Sequence, residues 1–336
     1  FPRERNPLTT RQDRYDFLGE NMLTRIAQAC RIGRAALHCG RRWATTVVNR
    51  RIPLRSIKRG NGTLGLNVEP YEGTLQANRD EWLLEAHRHA VELSRLPDVS
   101  MTVLENGELE VQTAKFTIRA TRAEELLILR EVLCDRVYNF VSSNALGVID
   151  IGMNVGISSL YFAAELHAQV VGYELVPDTY KLAIQNFEAN PSLKHLVTPV
   201  MNGVGATARS VKVNFTPLHR GIATICARSD SAKNVYDGQI DAQVVAIEDV
   251  VIDARNRFGS KELVIKMDCE GAEYEIFERL CSSQAIYEIR HFMVEWHQFS
   301  EGQKTESVVN QLKSAGFGVS VFGHPHDLAG MLYATR

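Results

Sequence analysis

The stretch Val148-Ile149-Asp150-Ile151-Gly152-Met153-Asn154-Val155-Gly156, followed one helix's length later by Val170-Val171-Gly172-Tyr173-Glu174, has the residue types and spacing of a nucleoside-binding crevice. An apolar run ending in Asp-x-Gly-x-x-x-Gly lets the main chain turn sharply at Gly152 and lets the next helix pack closely at Gly156, so a ligand can lie against bare backbone. Glu174 ends the second strand, where a carboxylate accepts hydrogen bonds from both ribose hydroxyls. A dinucleotide fingerprint needs Gly-x-Gly-x-x-Gly to bring a pyrophosphate onto the helix. Here the first position is the acidic Asp150 and the middle one is Asn154. That pattern repels an anion and suits a cationic, phosphate-free nucleoside, which favours S-adenosylmethionine (SAM) over NAD. An NAD-linked oxidoreductase and a strand-turn-helix without ligand stay as alternatives.

A second constellation lies in Leu263-Val264-Ile265-Lys266-Met267-Asp268-Cys269-Glu270-Gly271-Ala272-Glu273, a strand that ends in carboxylates at the mouth of a helix. By strand alternation Lys266 and Asp268 share a face, and a buried lysine needs a partner, so a Lys266–Asp268 ion pair is expected. Glu273 fits a first helical turn, where the macrodipole favours negative charge. Structure explains Asp268 and Glu270 less well. The carboxyl ends of parallel strands face the ligand crevice, which places Asp268 near the tail of whatever lies on Gly152. The next strand, Phe292-Met293-Val294-Glu295-Trp296-His297, brings Glu295 and His297 to the same rim. His297 is a candidate general base for a hydroxyl, with Asp268, Glu270 and Glu295 as the other candidates, against a purely structural role. These four could also gather a divalent ion, but no single element carries ligand spacing and no metal is assigned.

These residues need a doubly wound sheet to position them. From 147 onward strands and helices alternate, with strands expected near 147–151, 169–174, 196–201, 262–268, 289–296, 317–322 and 331–335. One helix places Ile157, Leu160, Tyr161 and Ala164 on a face. A second is opened by Pro177 and stops at Asn190-Pro191, and a third covers 304–315. The connection 202–261 reads as a β-rich insertion, with strands at Val211–Phe215 and Gln243–Ile247, that overhangs the pocket. Upstream, Asn106-Gly107 between alternating runs predicts a hairpin, followed by a helix from Arg122 to Cys134. Helices are also expected over 14–38 and 79–95. Three parts result: a basic, mainly helical extension over 1–95, a hairpin and helix over 96–140, and a cofactor-binding domain over 141–336 with its insertion at about 203–250.

The motifs Asp150-Ile-Gly-Met-Asn-Val-Gly, Ser158-Ser159-Leu160-Tyr161-Phe162-Ala163, Lys266-Met-Asp-Cys-Glu-Gly-Ala-Glu273 and Val294-Glu295-Trp296-His297 resemble the FkbM family of SAM-dependent methyltransferases. The resemblance covers about 100–335. It implies a class I, Rossmann-like methyltransferase fold with a mostly parallel seven-stranded sheet, and O-methylation of a hydroxyl on a small molecule, sugar or natural product. It further implies that Asp150, Gly152, Asn154 and Gly156 line the methionine and ribose part of SAM and that Glu174 holds the ribose. Many class I enzymes set an acidic residue after the third strand for the adenine amine; this chain has Met201-Asn202-Gly203, so Asn202 takes that place.

Composition narrows the partners. Residues 1–60 carry 14 Lys and Arg against 4 Asp and Glu, and the rest carries 24 against 36: a basic arm on an acidic body. The expected helix 14–38 is read as docked with a solvated basic face, the alternative being contact with a partner, a membrane surface or nucleic acid. Nucleic-acid binding or RNA modification is disfavoured because the core has no tract of aromatics interleaved with basic residues. Cys30, Cys39, Cys134, Cys226, Cys269 and Cys281 form no Cys-x-x-Cys pair, the pattern of reduced thiols in a cytoplasmic protein. No run has the roughly 18 apolar residues of a membrane span, and no signal-peptide core is read. The chain opens on Phe1, as a fragment or a trimmed chain would. Acceptor identity and oligomeric state have no code in the sequence.

Overall fold

The computed structural model of the chain describes residues 27–32, 34–36, 41–59, 65–76, 79–140, 142–216, 219–224, 238–300, 302–323 and 328–336. The chain divides into two compact units. The first comprises Phe1–Arg95, Ser100–Glu110 and Thr121–Ala123, and the second Leu96–Val99, Val111–Ala120 and Glu124–Arg336. In the first unit, strands Ile57–Arg59, Gly65–Val68 and Leu75–Gln76 form a small antiparallel sheet. Its helix Glu81–Leu93 buries Leu83, Leu84, Ala86, Ala90 and Leu93 along one stripe. The Asn106-Gly107 turn closes as expected, Leu104 N–H donating to Glu108 and Gly107 N–H to Leu104. Of the helix expected over 14–38, residues 27–32 and 34–36 are helical and the others lie outside the described residues.

The second unit carries, in order, β1 (Leu146–Ile151), α1 (Ile157–Glu165), β2 (Gln169–Tyr173), α2 (Pro177–Glu188), β3 (Val197–Val200), β4 (Gly203–Gly205), β5 (Arg209–Thr216) and β6 (His219–Thr224). It continues with β7 (Gly238–Ala246), α3 (Ile247–Phe258), β8 (Glu262–Met267), α4 (Glu273–Cys281), β9 (Ile289–His297), α5 (Thr305–Ser314), β10 (Gly318–Phe322) and β11 (Ala329–Thr335). The main sheet has seven strands in the order β10-β11-β9-β8-β1-β2-β3. The run from β9 to β3 is parallel, and β11 pairs antiparallel with both β9 and β10. This is the mostly parallel, Rossmann-like sheet the alternation predicts. Every residue of β1 is buried, as a strand covered on both faces must be. The chain leaves β1 to one side for β2 and β3 and returns on its other side for β8 and β9. The switch point between β1 and β8 is where such sheets open a ligand crevice at their carboxyl ends.

Packing fixes the helices. Phe277 of α4 packs at a tilt against Phe292 of β9, and Phe292 edge-to-face against Phe317, each with ring centroids 5.3 Å apart. Asn186 and Asn190 at the end of α2 take up the backbone of the strand Thr117–Ala120: their side-chain oxygens accept from Arg119 N–H and Thr117 N–H, and Asn190 donates back to Thr117. Asn186 also donates to the Val155 carbonyl, which ties that strand to the turn after β1.

Two expectations need correction. The strand expected over Gln243–Ile247 is β7, which stops at Ala246; Ile247 begins α3, a helix the insertion reading left out. Its signal is in the sequence: Ile247, Val250, Val251, Ala254 and Phe258 form a helical stripe, with Glu248 and Asp249 in the first turn and Gly259 at the end. The helix expected to run regularly from Arg122 to Cys134 is α-helical over Ala123–Arg130 and then widens into a π-helical turn, Glu131–Asp135.

Candidate active site

The turn after β1 is clamped from two sides. Gly152 and Met153 N–H both donate to the Tyr173 carbonyl at 3.0 Å, and Asp268 N–H donates to Ile151 at 3.0 Å. Gly152 sits at φ 75°, and a Cβ there would overlap the Asp268 carbonyl oxygen, so only glycine lets the two loops close on each other. At Gly156 a Cβ would come within 2.6 Å of the Phe187 ring, which is the close packing of the following helix read from the motif.

Lys266 is register partner to Asp150 across β8 and β1. Its Nζ lies 3.2 Å from Asp150 Oδ1 and donates to the Gly152 carbonyl at 2.6 Å, whereas Asp268 Oδ2 is 4.0 Å away. The expected Lys266–Asp268 pair is therefore corrected: the main partner is Asp150, because in-register residues of adjacent strands point to the same face. Burial works against the lysine's charge, but Asp150, with help from Tyr138 and Asp268, overcomes it and holds the ammonium above its ordinary range. The other Asp150 oxygen accepts from Ser158 Oγ at 2.7 Å and Ser159 Oγ at 2.6 Å. Asp150 is 0% exposed and lies beneath the turn, outside the cavity walls.

The cavity above it has about 650 Å³ of unfilled space counting its open mouth. Among the site residues read from the sequence, Gly152, Asn154, Glu174, Asn202, Asp268 and Glu270 line it; Asp150 and Gly156 do not. The carboxylates in the cavity walls are therefore Glu174, Asp268 and Glu270 rather than Asp150. Glu174 Oε2 accepts from Asn154 N–H at 3.1 Å and Oε1 from Val176 N–H at 2.8 Å, which locks its carboxylate at the rim. Burial raises Glu174 to about 7 despite those two amides. Asn154 adopts φ 51°, and its side-chain Oδ1 is buried without a hydrogen-bond partner among the described residues. Leu175, Val244 and Ala272 add apolar walls the sequence reading did not name. Val244 comes from β7, so the insertion does reach the cavity.

Asp268 is shared with a second cavity, about 670 Å³ counting its mouth, whose walls include Glu131, Val132, Tyr138, Glu295 and Met331. The π-helical turn supplies Glu131, and burial with Asp268 and Glu131 nearby pushes Glu295 up. His297 lines neither cavity. The residue is 7% exposed, with Nδ1 3.2 Å from Glu273 Oε1 and Nε2 3.8 Å from an oxygen of Glu270 and from one of Glu295. Burial disfavours the imidazolium, but the Glu273 hydrogen bond and the charges of Glu273, Asp268 and Glu270 outweigh it and carry His297 up to about 10. Glu273 in turn accepts from Cys269 N–H at 3.1 Å and Gly271 N–H at 2.9 Å, so it caps the loop as well as holding the histidine.

Residues 150–319 match the methyltransferase FkbM domain. No curated protein matches the chain. Among solved structures, the methyltransferase FkbM of Methylobacillus flagellatus KT is 13% identical, with a TM-score of 0.41 over 61% of this chain and 47% of that one. The chain thus spans about half the length of that protein. A precorrin-6y C5,15-methyltransferase of Geobacter metallireducens is 12% identical, with a TM-score of 0.33 over 62% of this chain and 89% of that one. A putative tRNA (m1A22) methyltransferase of Streptococcus pneumoniae is 13% identical, with a TM-score of 0.34 over 60% and 68%. Among the described residues no helix is long and apolar enough to cross a membrane. The domain match takes in 170 of the 336 residues, including the turn after β1 and the carboxylate loop after β8, and the chain belongs to the FkbM methyltransferase domain family.

Proposed function

We propose that the chain is an O-methyltransferase that uses SAM and acts on a hydroxyl of a small molecule, sugar or natural product. The observation that carries this reading is the pairing of Asn154 and Glu174 on one rim. Asn154 lines the cavity and its buried side-chain Oδ1 has no hydrogen-bond partner among the described residues, and Glu174, fixed by two amides, keeps lone pairs for further donors. SAM brings an ammonium group and two ribose hydroxyls, all donors, so these residues fit it. Three carboxylates in the same walls suit a cation and oppose a pyrophosphate.

When bound, the cofactor supplies a methyl group already activated on a sulfonium. The protein's share is alignment and exclusion of water, an effect worth on the order of 7–11 kcal/mol in well-oriented reactions. Glu174 and Asn202 hold the nucleoside end, and Asn154 and the Gly152 turn hold the amino-acid end. The second cavity takes the acceptor, with Asp268 as the wall between the two. Glu295, which faces the acceptor cavity, receives the hydroxyl proton; His297, which faces neither cavity, positions the loop instead.

The test is incubation of the full chain with methyl-labelled SAM and pools of hydroxylated small molecules, sugars, amines and RNA, followed by mass analysis of the labelled product. The reading requires the labelled methyl group on an ether oxygen of a small acceptor. Label found only in RNA or on nitrogen overturns it.

A further inference from the structure

Asp268, Glu270 and His297 each offer a donor atom, and these atoms lie within 4.8 Å of one another. They come from two elements that the fold forces together: the loop after β8 and the last residue of β9. An acidic loop alone would say little, but the histidine adds an independent observation. His297 is more than nine-tenths buried; its Nδ1 is held by Glu273, and its Nε2 lies 3.8 Å from an oxygen of Glu270 and from one of Glu295, within ion-pair range but beyond hydrogen-bond length. Metal-binding histidines have this arrangement, one ring nitrogen given to a buried carboxylate and the other given to the ion, which takes the place of the Nε2 proton and releases it to solvent. Glu273 is itself pinned by the Cys269 and Gly271 amides, so the ring orientation is set before any ion arrives.

We propose that Asp268, Glu270 and His297 form a divalent-cation site in the wall between the two cavities. Two carboxylates and one imidazole suit a first-row ion such as Mn²⁺ better than Ca²⁺, whose sites are built of oxygen alone. Three protein ligands leave positions of a six-coordinate ion for water or for an acceptor hydroxyl, whose proton the ion makes easier to remove. That last role rests on the methyl-transfer reading; the binding of the ion does not.

The experiment uses the full chain, stripped with EDTA and titrated with Mn²⁺ while the electron paramagnetic resonance of free Mn²⁺ is followed. One Mn²⁺ per chain is expected. Asp268→Asn, isosteric and at a partly exposed side chain, is expected to weaken binding at least tenfold, and Glu273→Gln, which only positions the histidine, by about 10- to 100-fold. Glu270→Gln serves in place of Asp268→Asn if that variant's circular dichroism differs from the parent's. Absence of saturable binding, or one site of unchanged affinity in these variants, overturns the proposal. SAM calorimetry on the same stripped protein separates the two readings: SAM binding without Mn²⁺ binding removes the ion alone, and Mn²⁺ binding without SAM binding removes the methyltransferase reading alone.

Discussion

Lys266 and Asp150 are register partners on adjacent parallel strands and form an ion pair, Nζ to Oδ1 3.2 Å, with side chains 3% and 0% exposed. The pair sits under the turn that lines the first cavity, and Lys266 also holds the Gly152 carbonyl. Removing the lysine leaves Asp150 with only two serine hydroxyls. Lys266→Met is expected to cost about 3–5 kcal/mol of unfolding free energy in urea titrations, the usual effect of stranding a buried charge. Adding Asp150→Asn should recover a large part of it. Simple additivity of the two losses would contradict the pair.

Gly152→Ala puts a methyl group onto the Asp268 carbonyl oxygen at a backbone angle that disfavours any side chain. The Asp268 atoms it meets are main chain and cannot swing away. Destabilisation on the order of 3 kcal/mol is expected, with loss of SAM binding. A variant with parental stability would mean the two loops are not in contact.

How much of this was legible in the sequence follows from the range of each interaction. The glycine turn, Glu174 and the seven strands rest on local pattern, and the structure has them at or within a few residues of the expected places. Lys266 has two candidate carboxylates, Asp150 and Asp268. Alternation along one strand points to Asp268, and only the register between β1 and β8 decides for Asp150. Ser158 and Ser159 belong to the motif, yet the donation of both hydroxyls to Asp150 depends on how α1 lies over β1. His297 reads as a base from its place at a strand end; its capture by Glu273, 24 residues earlier, needs the loop in three dimensions. The helix α3 had a clear apolar stripe that the β-rich reading of its neighbourhood overrode.

Glu174 gives the site a pH dependence with opposite signs for the empty and loaded protein. Its folded value, about 7, lies above the ordinary 4.5, so protonation favours the empty fold. That contribution is complete below about 4.5 and is lost as pH rises through about 7, amounting to about 3 kcal/mol over the window. SAM needs the carboxylate as an acceptor, so affinity should rise about fivefold from pH 6 to pH 7 and level off above about pH 8. Calorimetry at several pH values checks this. A flat profile in the parent, or the same slope in Glu174→Gln, would exclude Glu174 as the titrating group.

Glu295→Gln keeps the size of a side chain at the second cavity while removing its ability to take a proton. Methyl transfer is expected to fall by about 100-fold or more at unchanged SAM affinity. An equal loss in His297→Gln with Glu295→Gln harmless would shift the base to the histidine.

The most direct measurement is calorimetric titration of the full chain with SAM and, separately, with NAD, repeated on Glu174→Ala. The account predicts one SAM per chain, no binding of NAD, and SAM affinity about 10- to 100-fold weaker in the variant through the lost hydrogen bonds to a charged group. Binding of NAD in place of SAM, or SAM affinity untouched by loss of the Glu174 carboxylate, would contradict it.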